Sequence, residues 1–584
     1  MPAAKGRGWR RIAAAAVAGA LALSGPGAWP PAGAQSQLPA LGDTDSAEFT
    51  VGTEKKVGDE IMRAIHADPD YIDDPLLLEY LQSVWQPLVA ASRSLGNITA
   101  DIDQRFAWEP FLVRDASVNA FALPGGYVGV HLGLIAITTT RDELASVLAH
   151  EMSHVSQRHI ARSISGDSKR SLVGLAALVL GLLAASRSHS PDAMAAVVTG
   201  SQAATIQGQL NFSRDVEREA DRVGFQVMTS AGFEPGGMAA MFEKMDHSMR
   251  LNDYGGFPYL RSHPLTVERI GEARARAGIA PAAPRASDGA ASAARAGASE
   301  PSRTGNADTA AAATPGASAA GRAPGLTLPV TVIGAASDPA SVRARLLEHA
   351  VAQARARVLM DTRVDALRRW QGRDADRDGS AVDRLRALSE SGIASSVLRD
   401  WPRADAAYAA ALAIVRAGAS SSARAERAVS LMQAQSLLDR GAPAKAAEAM
   451  KAYSGDGSRP SLLLDAQIAL IATPAVTPDS AALKANASVL QTWVAIHPAD
   501  SLAWSALAQT WGRLGAPLRS IRAEAEARYA LGDLLGAVDR LRAGQRLARG
   551  GGPVDFIDAS VLDSRLRAIE AQRRQIYADQ HVTR

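Results

Sequence analysis

Apolar positions recur at helical spacing in EKKVGDEIMRAIHA and again in DPLLLEYLQSVWQPLVAASRSL, which predicts helices at the start of a segment spanning residues 43 to about 278. The pattern then changes. FAWEPFLVRDASVNAFALPGGYVGVHLGLIAI is rich in Val, Phe and Tyr and holds a Pro124-Gly125-Gly126 turn, so it reads as β-structure. Helical patterning returns at TTTRDELASVLAH, where Thr140 followed by Glu143 three residues on is a capping-box signature. The residues beyond it, through His150, are therefore placed on a helix.

Residues 279 to about 325 are rich in Ala, Pro, Ser and Gly and show no period, as expected of a flexible linker at a domain boundary. From about 326 to 584 the pattern is helix after helix. Trp504, Leu507, Ala508 and Trp511 fall on one helix, with turns at Gly515 and at Gly532-Asp533 and a later helix carrying Ala537 and Leu541. Leu431 to Tyr453 forms another such unit. Small residues at crossing points with large ones between them, on helical hairpins, resemble tetratricopeptide repeats. A non-repetitive helical bundle is the other reading of that pattern.

A chain of 584 residues is too long for one ordinary domain, and its Ala-, Leu- and Arg-rich composition favours helix. The first 34 residues read as a secretory leader. Lys5, Arg7, Arg10 and Arg11 give a basic start, Ile12 to Leu23 an apolar run, and Ala32-Gly33-Ala34 a small-x-small cleavage site. An uncleaved anchor helix is the alternative. Removing four basic and no acidic residues turns the formal charge of +3 into about −1, so a nucleic-acid role loses its support. There is no cysteine, so no disulfide stabilises an exported form and any zinc site must be built from His and carboxylates. A second apolar stretch, Lys169 to Arg187, has a core (171–185) shorter than the ~20 residues that span a bilayer. It reads as a buried or membrane-touching helix, or as a lid, with a membrane hairpin as the alternative.

The chemistry concentrates at His150-Glu151-Met152-Ser153-His154. Residues i and i+4 share a helix face, so both histidines can reach one ion, and Glu151 sits where a carboxylate can take a proton from water. An H-E-x-x-H match arises by chance in roughly one chain in a hundred of this length, and two histidines leave zinc short of ligands. A histidine-based completion would need Gly at 157 and His at 160. Gln157 and Ile160 stand there, and His159 is one position out of register. A carboxylate from a later helix is the other solution. NFSRDVEREADRVGFQV supplies Glu217 with Asp221 one turn on, so that Glu217 can coordinate while Asp221 fixes a ligand histidine's tautomer. Glu219 competes as ligand but has Val223, no carboxylate, four residues later.

In that order, NAFALPGGYVGVHLGLI, LASVLAHEMSHVSQRHI and FSRDVEREADRVG resemble the HtpX/BepA/Ste24-type zinc metallopeptidases, gluzincins with an H-E-x-x-H helix. The exported branch with a tetratricopeptide domain behind the peptidase is the most similar. The resemblance implies a mainly α (α+β) chain. A minigluzincin-like metallopeptidase domain with a small β-sheet (43–278) would precede an α-helical tetratricopeptide-like repeat domain (326–584). It implies one Zn2+ per chain held by His150, His154 and Glu217, Glu151 as general base, and Asp221 behind the ligands. It further implies peptide-bond hydrolysis in the bacterial periplasm, directed at misassembled envelope proteins, with the repeats engaging substrates or an outer-membrane assembly complex. Peripheral membrane contact would run through 171–185, and no nucleic acid is implied. His263, in RSHPLTVERI, matches a His-Pro near the family's cleft, as an oxyanion stabiliser or a fourth ligand. NAFALPGGYVGV reads as a hairpin flooring the cleft, whose edge would bind extended substrate by strand addition, with Asn119 as the substrate-binding candidate. The rival function is a periplasmic chaperone or scaffold for outer-membrane protein assembly, with a regulated or rarely active metal site.

Overall fold

The computed structural model describes residues 50–163, 214–251, 259–279, 338–375, 379–417, 422–550 and 555–582. The expected leader, the apolar stretch Lys169–Arg187 and residues 280–325 of the Ala/Pro/Ser/Gly segment lie outside them. The described residues are mainly α, with one four-stranded sheet. Among the described residues no helix is long and apolar enough to cross a membrane.

The sheet consists of β1 (Tyr71–Ile72), β2 (Glu109–Val113), β3 (Ala120–Leu123) and β4 (Tyr127–His131), in the order β1-β2-β4-β3. β2 runs parallel to β4, while β3 and β4 form an antiparallel hairpin paired from Ala120↔Val130 to Leu123↔Tyr127. Gly125 and Gly126 turn that hairpin with φ of 78° and 89°, which an L side chain tolerates poorly. A Cβ on Gly126 would also lie 2.9 Å from Trp108 N.

Strand periodicity divides the sheet cleanly. Phe111, Val113, Leu123 and Tyr127 face Ile61, Met62 and Ile65 of α1 (Val51–His66). Leu112, Ala120, Val128 and Val130 face the main core. β4 is buried on both sides, which explains why YVGVHLGLI shows no polar alternation.

That core lies between the sheet and α2 (Pro75–Ser94), α5 (Arg141–Ser156), α7 (Arg214–Ser230) and α8 (Gly236–Leu251). The short helices α3 (Ala100–Arg105), α4 (Leu132–Ile137) and α6 (His159–Ser163) join these elements, and α9 (Tyr259–Ser262) and α10 (Val267–Arg276) follow α8. The α5 cap differs in one detail from the sequence expectation. Thr140 Oγ1 accepts from Glu143 N, but the Glu143 carboxylate accepts from Thr139 N and Oγ1 rather than from Thr140 N. Every residue of α5 from Glu143 to Ser156 is buried, so this helix lies inside the molecule rather than along its surface.

The described residues between 339 and 582 are helical hairpins in succession, from α11 (Pro339–Leu359) through α19 (Ser501–Arg513), α20 (Pro517–Ala530), α21 (Leu534–Arg549) and α22 (Phe556–Val582). Trp504 and Trp511 pack on one helical core, and Ala537 and Leu541 are buried in the next. Gly515 and Gly532 turn the chain with φ of 70° and 78°.

α11 does not stay among these helices. Its Ala352 and Ala356 are part of the core built by residues 51–273. His349 Nε2 donates to Thr138 O at 2.9 Å, and its Nδ1 accepts from Tyr80 Oη at 2.6 Å. Arg355 grips Asp74 through two hydrogen bonds of 2.8 and 2.6 Å, while Asp74 also caps α2 by accepting from Leu77 N. Arg459 takes the neighbouring Asp73 in the same two-pronged way.

Candidate active site

The site is assembled by two helices crossing at a glycine. On α5, His150, Glu151 and His154 are all buried. α7 passes so close that a Cβ on Gly224 would lie 3.1 Å from the backbone of Ala149 and from His150 N. The approach presents Glu217 and Asp221, one turn apart on α7, to the histidines of α5. The loop after α9 adds His263.

Four side chains converge. His150, His154, Glu217 and His263 each place one donor atom within 4.8 Å of the others, and all four are buried. His150 Nε2 and His154 Nε2 are 3.0 Å apart, Glu217 Oε2 is 3.5 Å from the first and Glu217 Oε1 3.6 Å from the second. His263 Nδ1 is 2.9 Å from Glu217 Oε1 and 3.4 Å from His150 Nε2. Its Nε2 is 3.6 Å from Glu151 Oε1.

Proton placement shows what this cluster can hold. Asp221 Oδ1 can only accept, so His150 donates from Nδ1 (3.0 Å) and carries its lone pair on Nε2. His159 donates from Nε2 to Glu219 Oε2 at 3.1 Å, so its Nδ1 accepts from His154 Nδ1 at 2.9 Å and the His154 lone pair lies on Nε2, toward the cluster. Two imidazole lone pairs and a carboxylate then point into one space, an arrangement that is repulsive by itself and favourable around a cation. The separations suit a tetrahedral ion bonded at about 2.0–2.1 Å, whose ligand atoms stand roughly 3.3 Å apart. The residues present therefore fit a metal ion, and an all-nitrogen-and-oxygen set of this kind fits zinc.

Glu151 stands beside this set. Its Oε2 accepts from Ala122 N at 3.0 Å, while Oε1, also buried, has no hydrogen-bond partner among the described residues. A buried carboxylate oxygen left bare is costly unless a ligand meets it. Burial raises the Glu151 carboxyl above the usual carboxylate range, and His263 and His150 oppose that rise. Asp221 goes the other way: burial would raise it, but hydrogen bonds from Arg269 and His150 outweigh burial and hold it low.

The structure thus brings His150, Glu151, His154, Glu217, Asp221 and His263 into one place. Asn119 lies outside the cluster, at the foot of β3, where its carbonyl accepts from His131 N at 3.1 Å. Glu219, the rival ligand, turns away and accepts from His159 Nε2 at 3.1 Å. Two buried residues escaped sequence reasoning. Arg269 donates to Asp221 from Nε (2.7 Å) and Nη2 (2.8 Å) and sets Nη1 3.0 Å from Glu217 Oε2, so it braces both carboxylates of α7. The Tyr259 ring stacks at 4.7 Å from His263 and lies 6.3 Å from His150. Arg269 sits six residues after His263 on a helix of its own, and no spacing rule links it to α7.

Comparison with known proteins agrees with this geometry. Residues 79–277 match the family model described as Peptidase family M48. The chain is 37% identical over 244 residues to the beta-barrel assembly-enhancing protease of Escherichia coli, covering 41% of this chain and 47% of that protein. It is 36% identical over 249 residues to the protein of the same name from Yersinia pestis, covering 42% and 48%. Against mitochondrial metalloendopeptidase OMA1 of Saccharomyces cerevisiae it is 30% identical over 200 residues, covering 32% and 53%. The chain therefore spans about half the length of the curated relatives it matches.

Proposed function

From the premise that residues 79–277 make up a family M48 metallopeptidase domain, we propose that the whole chain is a zinc-dependent endopeptidase of the bacterial cell envelope. The observation that carries the reading is the pair of Nε2 lone pairs of His150 and His154, 3.0 Å apart and facing Glu217, with the bare Oε1 of Glu151 alongside.

A zinc ion held by His150, His154 and Glu217 would polarise a peptide carbonyl and make water acidic enough to yield a proton near neutral pH. Glu151 takes that proton at Oε1 and returns it to the amine nitrogen that leaves when the peptide bond breaks. The Ala122 N–H holds the other oxygen, so the carboxylate is aimed before substrate arrives. Asp221, itself gripped by Arg269, keeps the His150 proton on Nδ1.

β3 is an edge strand whose Ala122 N–H points outward, to Glu151. An extended peptide added along that edge, on the Ala120 side, would lie beside the general base. His263 would hold the remaining corner of the cluster as a fourth ligand and would have to yield it for substrate to enter. The relatives' name supports a setting in beta-barrel assembly; substrates on this reading would be misassembled envelope proteins, and the helices after Pro339 would recruit them or their assembly machine.

The test is casein cleavage by the purified chain beside Glu151→Gln, with zinc content measured on both. Loss of cleavage by about 10²–10⁴-fold at unchanged zinc content is expected. Equal inertness of both forms, with both still suppressing aggregation of an envelope substrate, would favour a scaffold instead.

A further inference from the structure

We propose that His159 is a positioning residue of the metal site, acting with Glu219 through His154; the proposal rests on the zinc reading above. α5 ends at Ser156 with Gln157 as its cap, and Arg158 follows in the left-handed region with φ of 51°. That turn is held from outside α5, because Arg158 Nε donates to Glu54 Oε2 of α1 at 3.1 Å. It folds His159 back beneath the helix it has just left. The His159 ring meets His154 edge-on, with centroids 4.9 Å apart and planes at 76°. Both residues are buried, at 0% and 2% exposure for His154 and His159.

Only one hydrogen fits between the two Nδ1 atoms, 2.9 Å apart. An imidazole that binds metal through Nε2 carries its proton on Nδ1, so His154 is the donor and His159 the acceptor. His159 then carries its own proton on Nε2, which faces Glu219 Oε2 at 3.1 Å. The reverse assignment would set the His159 Nε2 lone pair against a carboxylate oxygen, and would put a proton on the His154 Nε2 whose lone pair the zinc reading needs.

Glu219 is also touched by Arg162 Nη1 at 3.3 Å, so the outer end of the relay is anchored on α6. One helix, α7, therefore backs both metal histidines: Asp221 orients His150 directly, and Glu219 orients His154 through His159. The two residues set aside by motif spacing, one out of register and one the lesser ligand, form one device.

The experiment measures zinc affinity of the full chain by chelator competition, and the visible spectrum of its cobalt(II) form. Wild type is compared with His159→Phe, His159→Gln and Glu219→Leu. Phe removes the acceptor, and affinity is expected to fall by about tenfold to a hundredfold with the cobalt bands displaced. Gln offers an oxygen to His154 and an NH₂ to Glu219, so most of the affinity returns, which mere filling of space would not achieve. Glu219→Leu alters a partly exposed side chain and reads the relay from its other end should the Phe form not fold. Wild-type affinity in the Phe form, or in the Leu form if Phe does not fold, overturns the proposal while the zinc reading stands. A wild-type chain that holds no zinc overturns the zinc reading itself.

Discussion

At the scale of residues, the site works through pairs in which one group fixes the proton of another. Asp221 does this for His150, and Ala122 N–H does the equivalent for Glu151 by fixing one carboxylate oxygen. His263 is the exception, since it enters the cluster without being required by the three-ligand set. Replacing it with Ala is expected to weaken zinc retention under chelator and to change the cleavage rate; a variant equal to wild type in both would remove it from the site. A second residue-scale prediction concerns Glu54, which burial pushes up to about 7 from 4.5 despite Arg158. Between those values the folded chain keeps a proton that the unfolded chain releases. Stability should therefore fall as pH rises through that window, by on the order of 1 kcal/mol per unit. Glu54→Gln should flatten the fall, seen as a smaller difference in urea midpoint between pH 5 and pH 8. The i, i+4 pairs His150/His154 and Glu217/Asp221 were legible because a helix puts such residues on one face. Arg269, Tyr259 and the meeting of His159 with Glu219 were not, because each depends on how separate elements pack.

At the scale of elements, Gly224 sets the distance between the two helices that share the site. A larger side chain there has to push α7 away from Ala149 and His150, where even a Cβ would stand at 3.1 Å. Gly224→Val is expected to lower both the thermal midpoint and zinc affinity, the destabilisation being about 1–3 kcal/mol for an overpacked contact. Denaturation with and without zinc would separate the two effects. Most of the elements could be read from the chain, and for stated reasons. Thr140 announces α5, and Pro124-Gly125-Gly126 announces the β3–β4 hairpin. The parallel pairing of β2 with β4 could not be read, because strand order depends on contacts that leave no local period. Nor could the division of the sheet between α1 and the main core, since β4 is apolar throughout.

At the scale of the whole molecule, the site-bearing half is closed by a helix from the other half. Pattern alone placed Pro339–Leu359 with the helical succession that follows it, and its Ala352 and Ala356 give no sign that they belong to another core. Deleting residues 338–584 would strip Thr138 O and Tyr80 Oη of their partners, take Arg355 from Asp74 and open the core at those alanines. The shortened chain is expected to unfold well below the full one and to lose cleavage with it. A truncated form that keeps the melting temperature and the activity of the full chain would show the two halves to be independent. Among the many ion pairs of this chain, Arg355–Asp74 and Arg459–Asp73 matter most here, because both are two-pronged and largely buried.

That borrowed helix also bears on the order in which the molecule is made. Roughly sixty residues separate Arg276 from Pro339, and a ribosome adds about 5–20 residues per second. For several seconds the newborn chain holds every side chain of the cluster, yet lacks the helix that completes the core around it. On the proposed function, competence to cut proteins would arrive only once synthesis has moved on into the helical succession and α11 has docked, a delay that would spare the nascent chain and its neighbours.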